Sequence, residues 1–488
     1  METMSAIRPD LLDLLDAATG ERAAAHADLR PNVLALAVAL KRRGVVEGDR
    51  VVALMGNRFE VVELYLACVR LGAIWVGVNP NAPQVERNRQ IALVAPRLVV
   101  VDRVSEGIVP ATTVFAAELA AERDQLDDSD RPELDMACAI AFTSGTTALP
   151  KTVVHSRAAV SLAAAALARN RIYAHDRVGV VLPLAIHNVV IVGAFAPLMA
   201  GARVIPVPTM NARGVALACQ SRALTLVTAL VPATVYDLVH DDSIDSGMLS
   251  TLRYAGTGAA GLVEELRAAF ESKFGIVLRG SYGMTEAPGP VAIEELDESH
   301  ESGCSGTALP HVRITADCDG QLVVGPAASG PFRGLFRPPL GRWADDGLQS
   351  WPDDVALRTG DHGFVAPTGS VHVTSRRTGV IVRGGVNVDV GELESVLGEI
   401  RGVRGVAVVS EPDDRLGERI IAFVELRANV AVDPEVLRVE ARSLLSHGKV
   451  PDDFVVVDAL PRNAMGKVER TRLRSLPRHH GREAPFST

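Results

Sequence analysis

Ala141-Phe-Thr-Ser-Gly-Thr-Thr-Ala-Leu-Pro-Lys151 is the stretch on which the reading of this chain turns. Small hydroxyl residues around Gly145 leave backbone N–H groups and side-chain hydroxyls free to wrap phosphate oxygens, and Lys151 adds a positive charge. The GxxxxGK[ST] spacing is absent, so this is not a Walker loop. Taken alone, it reads as an ordinary Ser/Thr-rich loop before it reads as a site.

Outward from it, the pattern is α/β. Val51–Met55 and Leu98–Val101 read as buried strands, with a helix over Val61–Leu71 between them. Downstream, Ala159–Ala168 and Val189–Ala200 read as helices, and Val178–Leu182, Ala202–Pro206 and Leu224–Ala229 as strands. The expected fold is a large N-terminal domain of packed, mostly parallel sheets with helices. From about 306 to 373 the chain becomes rich in Gly and Pro, with short strands, which suggests a small β-rich subdomain. Beyond about Val380 it reads as a small α+β module. The expected domains are 1–376 and a mobile C-terminal lid, 377–488, with a hinge at the composition change.

Composition agrees with this size. The 488 residues allow two or three domains of roughly 150 residues each. A 48% hydrophobic and 22% charged chain has ordinary globular composition. A formal charge of −9 without a basic block argues against a nucleic-acid scaffold. Five cysteines, odd in number and without a CxxC pair, argue against a disulfide framework or zinc knuckle. Val189–Ala202 is too short to span a bilayer and contains Pro197, and the acidic N-terminus does not read as a targeting peptide. The expectation is a cytoplasmic protein. Lysine is scarce: Lys41, Lys151, Lys273, Lys449 and Lys467 stand among 50 Lys plus Arg. In a chain whose default cation is Arg, a Lys marks a place for a compact ammonium.

Four further motifs follow. Ser281-Tyr-Gly-Met-Thr-Glu286 comes after the apolar Ile276–Leu278, and strand ends of α/β sheets are where ligands collect. Thr285 offers a phosphate donor, Glu286 a Mg²⁺ ligand and Tyr282 a ring for a base, although a lone Glu is more often a solvated acid. Arg358-Thr-Gly-Asp361 reads as a tight turn whose carboxylate could accept two ribose hydroxyls, or as a plain Asx turn. Ser375-Arg-Arg-Thr-Gly-Val-Ile-Val-Arg-Gly-Gly385 spans the expected hinge. Pro461-Arg-Asn-Ala-Met-Gly-Lys467 suggests a loop delivering a charge. A decoy competes: Gly256-Thr-Gly-Ala-Ala-Gly261 fits the GxGxxG pattern of NAD-dependent oxidoreductases, but Leu252–Ala255 before it looks too short and polar for a central strand. His155 and His187 are candidate bases or, more plainly, satisfied core histidines.

In order and spacing these motifs resemble the adenylate-forming superfamily of acyl- and aryl-CoA synthetases, peptide-synthetase adenylation domains and luciferases. The likeness extends to Gly72–Pro80, Pro183-Leu-Ala-Ile-His187, Ala422–Leu426 and Lys449-Val-Pro451, and so covers essentially the whole chain. It implies an acid–thiol ligase using ATP, Mg²⁺ and coenzyme A through an acyl-AMP intermediate. By resemblance, Thr143, Ser144, Gly145, Thr146, Thr147 and Lys151 cradle the β- and γ-phosphates. Thr285 touches the α-phosphate, Glu286 holds the metal, Tyr282 flanks the adenine, and Asp361 and Arg376 hold the ribose. Gly258 is grouped with these nucleotide-binding residues. Lys467 bridges carboxylate and α-phosphate, His187 gates the acyl pocket, Gly384 and Gly385 line the thiol tunnel, and Thr378–Gly379 is the hinge.

Peptide-synthetase domains place an Asp in the stretch matching Pro183–Val190. Here it is absent, and a bulky apolar acid is the expected substrate. Three departures stand out: Ala148 replaces a glycine, Gly379 the pivot acid, and Val390 a proline. The alternative they raise is a non-adenylating enzyme that thioesterifies acyl-AMP supplied by a separate adenylating partner. A homodimer is left open.

Overall fold

The structure, a computed structural model, describes residues 9–16, 28–102, 113–120, 132–143, 151–258, 264–295, 301, 303–344, 347–351, 356–375, 379–427, 432–461, 468 and 470–473. The chain divides into two compact units. One comprises Met1–Pro80, Arg87–Thr143 and Lys151–Arg377; the other contains the chain from Thr378 onward together with Asn81–Glu86.

The first unit holds two sheets. In one, Ala137–Thr143, Ile74–Gly77, Arg50–Leu54, Leu98–Val101 and Thr113–Phe115 lie parallel in that spatial order. Parallel strands need crossovers, and the helix Glu60–Leu71 is one of them. Its ends suit the helix dipole, with Glu60 and Glu63 in the first turn and Arg70 in the last, and Gly72 closes it at φ 69°. Ile74–Gly77 and Leu98–Val101 are buried at every position, as strands covered on both faces must be.

The second sheet begins with five parallel strands in the order Val277–Gly283, Tyr254–Thr257, Leu226–Leu230, Arg177–Val180 and Arg203–Pro206. Antiparallel strands extend it from the other side of Val277–Gly283: Pro290–Ile293, Cys304–Ala308, Ser370–Ser375, Leu357–Val365, Gln321–Pro326 and Val312–Ala316.

Three sequence expectations need correction. The decoy strand is internal: Tyr254–Thr257 pairs with a parallel neighbour on each side. Its glycines answer to close packing, since a Cβ on Gly256 would stand 2.7 Å from the Thr228 carbonyl oxygen, and one on Gly258 2.6 Å from Ser281 Oγ. The Gly/Pro-rich stretch is not one subdomain, because its hairpin Gly341–Ala344 and Gly347–Ser350 joins the first sheet beside Lys151–Ser156. Arg358–Asp361 is not a tight turn but part of the strand Leu357–Val365.

The second unit is built on the long hairpin Val403–Asp413 and Gly417–Leu426, with Asp453–Val457 parallel to its second strand. Val380–Arg383 and Val386–Asp389 form a tighter hairpin, turned by Gly384 and Gly385 at φ 56° and 86°. Two successive positive φ values are what a two-residue turn between twisted strands requires. Asp389 caps the helix Val390–Gly398 by accepting from the Glu392 N–H at 2.9 Å. Val390 therefore occupies the first helical position, where a proline is favoured but not needed once the cap is made.

Two of the scarce lysines, Lys273 and Lys449, place a compact ammonium in a structural role. Lys273 Nζ donates to the carbonyls of Leu238, Val239 and Asp241 at 2.8–3.0 Å, at the end of the helix Pro232–His240. Lys449 Nζ donates to Glu392 at 2.6 Å. Among the described residues, no helix is long and apolar enough to cross a membrane.

Candidate active site

Ala137–Thr143 and Lys151–Ser156 pair antiparallel, with Thr143 directly opposite Lys151. The phosphate motif is thus anchored at both ends by one strand pair. Ser144, Gly145, Thr146, Thr147 and Ala148, between these anchors, lie outside the described residues. Four residues along the second strand, His155 is buried, and its Nε2–H donates to the Thr285 carbonyl at 2.9 Å. That bond ties the strand leaving the phosphate motif to the chain leaving Val277–Gly283.

Asn188 ties the same segment from another side. Its Nδ2 donates to the Met284 carbonyl at 3.0 Å, and its Oδ1 accepts from the Gly289 N–H at 3.1 Å. The Met284–Gly289 segment, carrying Thr285 and Glu286, is therefore held by a histidine and an asparagine from two other elements. Both Thr285 and Glu286 are half-buried. A carboxylate beside a hydroxyl is a hard oxygen donor set, which fits Mg²⁺ and not a soft metal.

His187 stacks flat on His155, with centroids 4.9 Å apart and an interplanar angle of 5°. His187 Nε2 lies 3.0 Å from the Tyr65 hydroxyl, which in turn lies 3.5 Å from Cys138 Sγ. We assign the chain as His187 Nε2–H to Tyr65, and Tyr65 O–H to Cys138; this leaves only lone pairs, and no N–H, at the unpartnered Nδ1 atoms of both histidines. Burial pushes the His155 imidazole down to about 4 and that of His187 well below its ordinary value. Both rings are neutral near pH 7.

Tyr282 and Asp361 meet. The buried Tyr282 hydroxyl donates to Asp361 Oδ2 at 2.8 Å. Asp361 follows Gly360, at φ 80°, and its N–H donates to Thr359 Oγ1 at 3.0 Å. Thr359 in turn donates to the Leu322 carbonyl. The aspartate is thus presented from a strand pinned at that point. Arg358 turns away and pairs with Asp317. Gly258 donates its N–H to the Leu230 carbonyl. In the second unit, Gly379 stands at φ 98° and Gly384 and Gly385 form the hairpin turn. Arg376, Thr378 and Lys467 lie outside the described residues.

Two family profiles match the chain: that of the AMP-binding enzyme over residues 8–330, and that of the AMP-binding enzyme C-terminal domain over residues 392–467. This chain belongs to the AMP-binding enzymes. An indoleacetate–CoA ligase of Aromatoleum aromaticum is 30% identical to it over 484 residues, covering 93% of this chain and 94% of that one. A 4-coumarate–CoA ligase of Oryza sativa subsp. japonica is 29% identical, covering 96% and 92%. Among solved structures, an amide bond synthetase from Marinactinospora thermotolerans superposes with a TM-score of 0.74 at 27% identity, covering 92% of this chain and 94% of that one. The NAD-dependent reading of Gly256–Gly261 is accordingly set aside. For this AMP-binding enzyme the sequence signals missed Asn188, which carries no motif of its own, and the pairing of Tyr65 with His187 across 122 positions.

Proposed function

We propose that this AMP-binding enzyme converts a bulky apolar carboxylic acid to its CoA thioester through an acyl-AMP intermediate. It is an AMP-forming acid–CoA ligase, with ATP, an organic acid and coenzyme A as substrates. The observation that carries the reading is the Tyr282–Asp361 pair: it joins a buried ring to a carboxylate suited to ribose hydroxyls, beside a strand end whose Thr285 is held in place. The ligase names of the curated relatives support the reaction type, and the absence of an acid from Pro183–Val190 supports an apolar acid over an amino acid.

In the first half-reaction the carboxylate oxygen of the substrate attacks the α-phosphorus, the P–O bond to the β-phosphate breaks, and pyrophosphate leaves. The loop from Thr143 to Thr147 and Lys151 would hold the departing phosphates, and Thr285 would donate to the α-phosphate. Lys467 would set a fixed positive charge between carboxylate and phosphate, where negative charge gathers as the bond forms. Glu286 would hold Mg²⁺, which when bound offsets phosphate charge. In the second half-reaction the CoA sulfur attacks the acyl carbon, the thiol proton is lost, and AMP leaves. Asp361 with Arg376 would retain the ribose through this step. Tyr282 would keep its ring against the adenine and its hydroxyl on Asp361. His187, neutral and fixed to Tyr65, would line the acyl pocket, and Gly384 and Gly385 would let the backbone approach the thiol closely. We place the enzyme in the cytoplasm.

The test is a panel of aryl, alkyl and amino acids with ATP, scored for pyrophosphate release and then for thioester with CoA. Apolar acids should lead. Preference for amino acids, or acyl transfer to amines without transfer to CoA, would overturn the reading.

A further inference from the structure

Outside this chemistry, three residues of unlike type converge on the antiparallel part of the second sheet. Cys304 lies directly opposite His372 across the pair Cys304–Ala308 and Ser370–Ser375, so the two side chains leave the same face. The chain enters Cys304 through a turn in which its N–H donates to the Glu301 carbonyl at 3.0 Å, with Gly303 at φ 74°. The turn folds Glu301 back over the strand pair, and its Oε1 stands 3.3 Å from His372 Nε2. One donor atom from each of Glu301, Cys304 and His372 lies within 4.8 Å of the other two.

Two features mark this as a built site. His372 is 8% exposed, yet its Nε2 makes no aligned hydrogen bond. Its ring is stacked on Phe364, with centroids 4.5 Å apart at 7°, which sets the direction of that nitrogen. A buried ring nitrogen without an aligned hydrogen bond is destabilising, and a metal bond would satisfy it. Second, Cys304 Sγ accepts the Gly306 N–H at 3.1 Å, which fixes the direction of the sulfur. Gly306 sits at φ 97°, where a Cβ would meet the Ile293 backbone at 2.1 Å. Only glycine can place that donor.

We propose that Glu301, Cys304 and His372 form a divalent metal site of zinc type, with a fourth position open to water. The mixed S, N and O donor set suits Zn²⁺ and excludes the all-oxygen preference of Mg²⁺ and Ca²⁺. Zinc bonds of about 2.0–2.3 Å place tetrahedral donors roughly 3.3–3.8 Å apart. Donors that lie within 4.8 Å of one another reach that spacing through a side-chain closure of about 1.5 Å or less. The site would clamp the entry turn to the strand Ser370–Ser375, which also pairs with the Asp361-bearing strand.

The full chain, stripped with a chelator, is titrated with Co²⁺ and then with Zn²⁺ against a chromophoric competitor. One equivalent of Co²⁺ should give a near-ultraviolet thiolate charge-transfer band that Zn²⁺ erases. Cys304→Ser should abolish the band, and His372→Gln and Glu301→Gln should each weaken zinc by about tenfold or more. Zinc should raise the wild-type Tm but not that of Cys304→Ser. Glu301 is exposed, so its variant tests the site without threatening the fold. Absence of the thiolate band in the wild type would overturn the proposal. So would zinc binding in the variants equal to that of the wild type, which would assign the metal to other groups such as His479 and His480.

Discussion

The Tyr282 hydroxyl donates to the Asp361 carboxylate at 2.8 Å, linking residues 79 positions apart and two motifs that the sequence presents separately. If the aspartate holds a ribose, the tyrosine sets the direction in which it does so. Tyr282→Phe should therefore weaken AMP binding by about 1 kcal/mol, close to fivefold, and Asp361→Ala by about 2 kcal/mol or more. Calorimetry on the two single variants and the double variant should show coupling between them. Strictly additive losses would mean that the bond positions nothing.

His155 offers a separate test. It holds the Thr285 carbonyl and carries His187 on its face, so we expect it to act as a positioning residue for adenylation. His155→Leu keeps bulk but loses the donor, and should lower kcat for pyrophosphate release about tenfold or more while leaving KM for the acid less changed. His155→Gln, which can still donate to Thr285, should recover part of the loss. Equal kcat for the two variants would reduce His155 to packing.

The same burial makes stability depend on pH. The folded imidazoles of His155 and His311 are both held down at about 4, against 6.5 when exposed. Between those values the unfolded chain takes up protons that the folded one refuses, so stability falls as pH falls. At pH 5.5 each should cost about 1 kcal/mol relative to pH 7.5, and by pH 4 about 3 kcal/mol. Urea unfolding at the two higher pH values checks this. His311→Gln should flatten the dependence by its share.

Much of this was legible locally. The helices Glu60–Leu71 and Val390–Gly398 announce themselves through periodicity, end charges and caps. What depends on register across distant strands was not legible. Arg358–Asp361 has the composition of a turn and becomes a strand because Gln321–Pro326 and Ser370–Ser375 pair with it on either side. Leu252–Ala255 looks too polar for an inner strand, yet Tyr254 is buried there, with the guanidinium groups of Arg253 and Arg279 over its ring. Cysteine spacing argued against a zinc knuckle, whereas Cys304 meets His372 only through sheet pairing.

Gly379 is expected to be a pivot. It stands at φ 98°, and a Cβ there would meet nothing within 4 Å, so conformation alone selects glycine. Proline would demand a φ near −65°, about 160° away. Gly379→Pro should remove one half-reaction and spare the other, read as pyrophosphate release against thioester formation from supplied acyl-AMP. Survival of both at wild-type rates would place the pivot elsewhere.

The two half-reactions also separate on the departure at position 148. The loop between Thr143 and Lys151 would serve phosphates that leave as pyrophosphate, so it is needed for adenylation and hardly for thioester formation. By the resemblance to the adenylate-forming enzymes, Ala148 replaces a glycine. If the position requires positive φ, alanine costs roughly 1–2 kcal/mol there, and each 1.4 kcal/mol lost from transition-state binding costs about tenfold in rate. Against this, Lys151 and Lys467 are both present in a chain with only five lysines, two others of which, Lys273 and Lys449, are each used for an ammonium contact. We expect the complete two-step reaction, with Ala148→Gly raising adenylation several-fold and leaving thioester formation from acyl-AMP unchanged. Thioester from acyl-AMP without any turnover of free acid and ATP would instead mark a non-adenylating enzyme fed by a separate partner. In that case the same substitution should restore measurable pyrophosphate release.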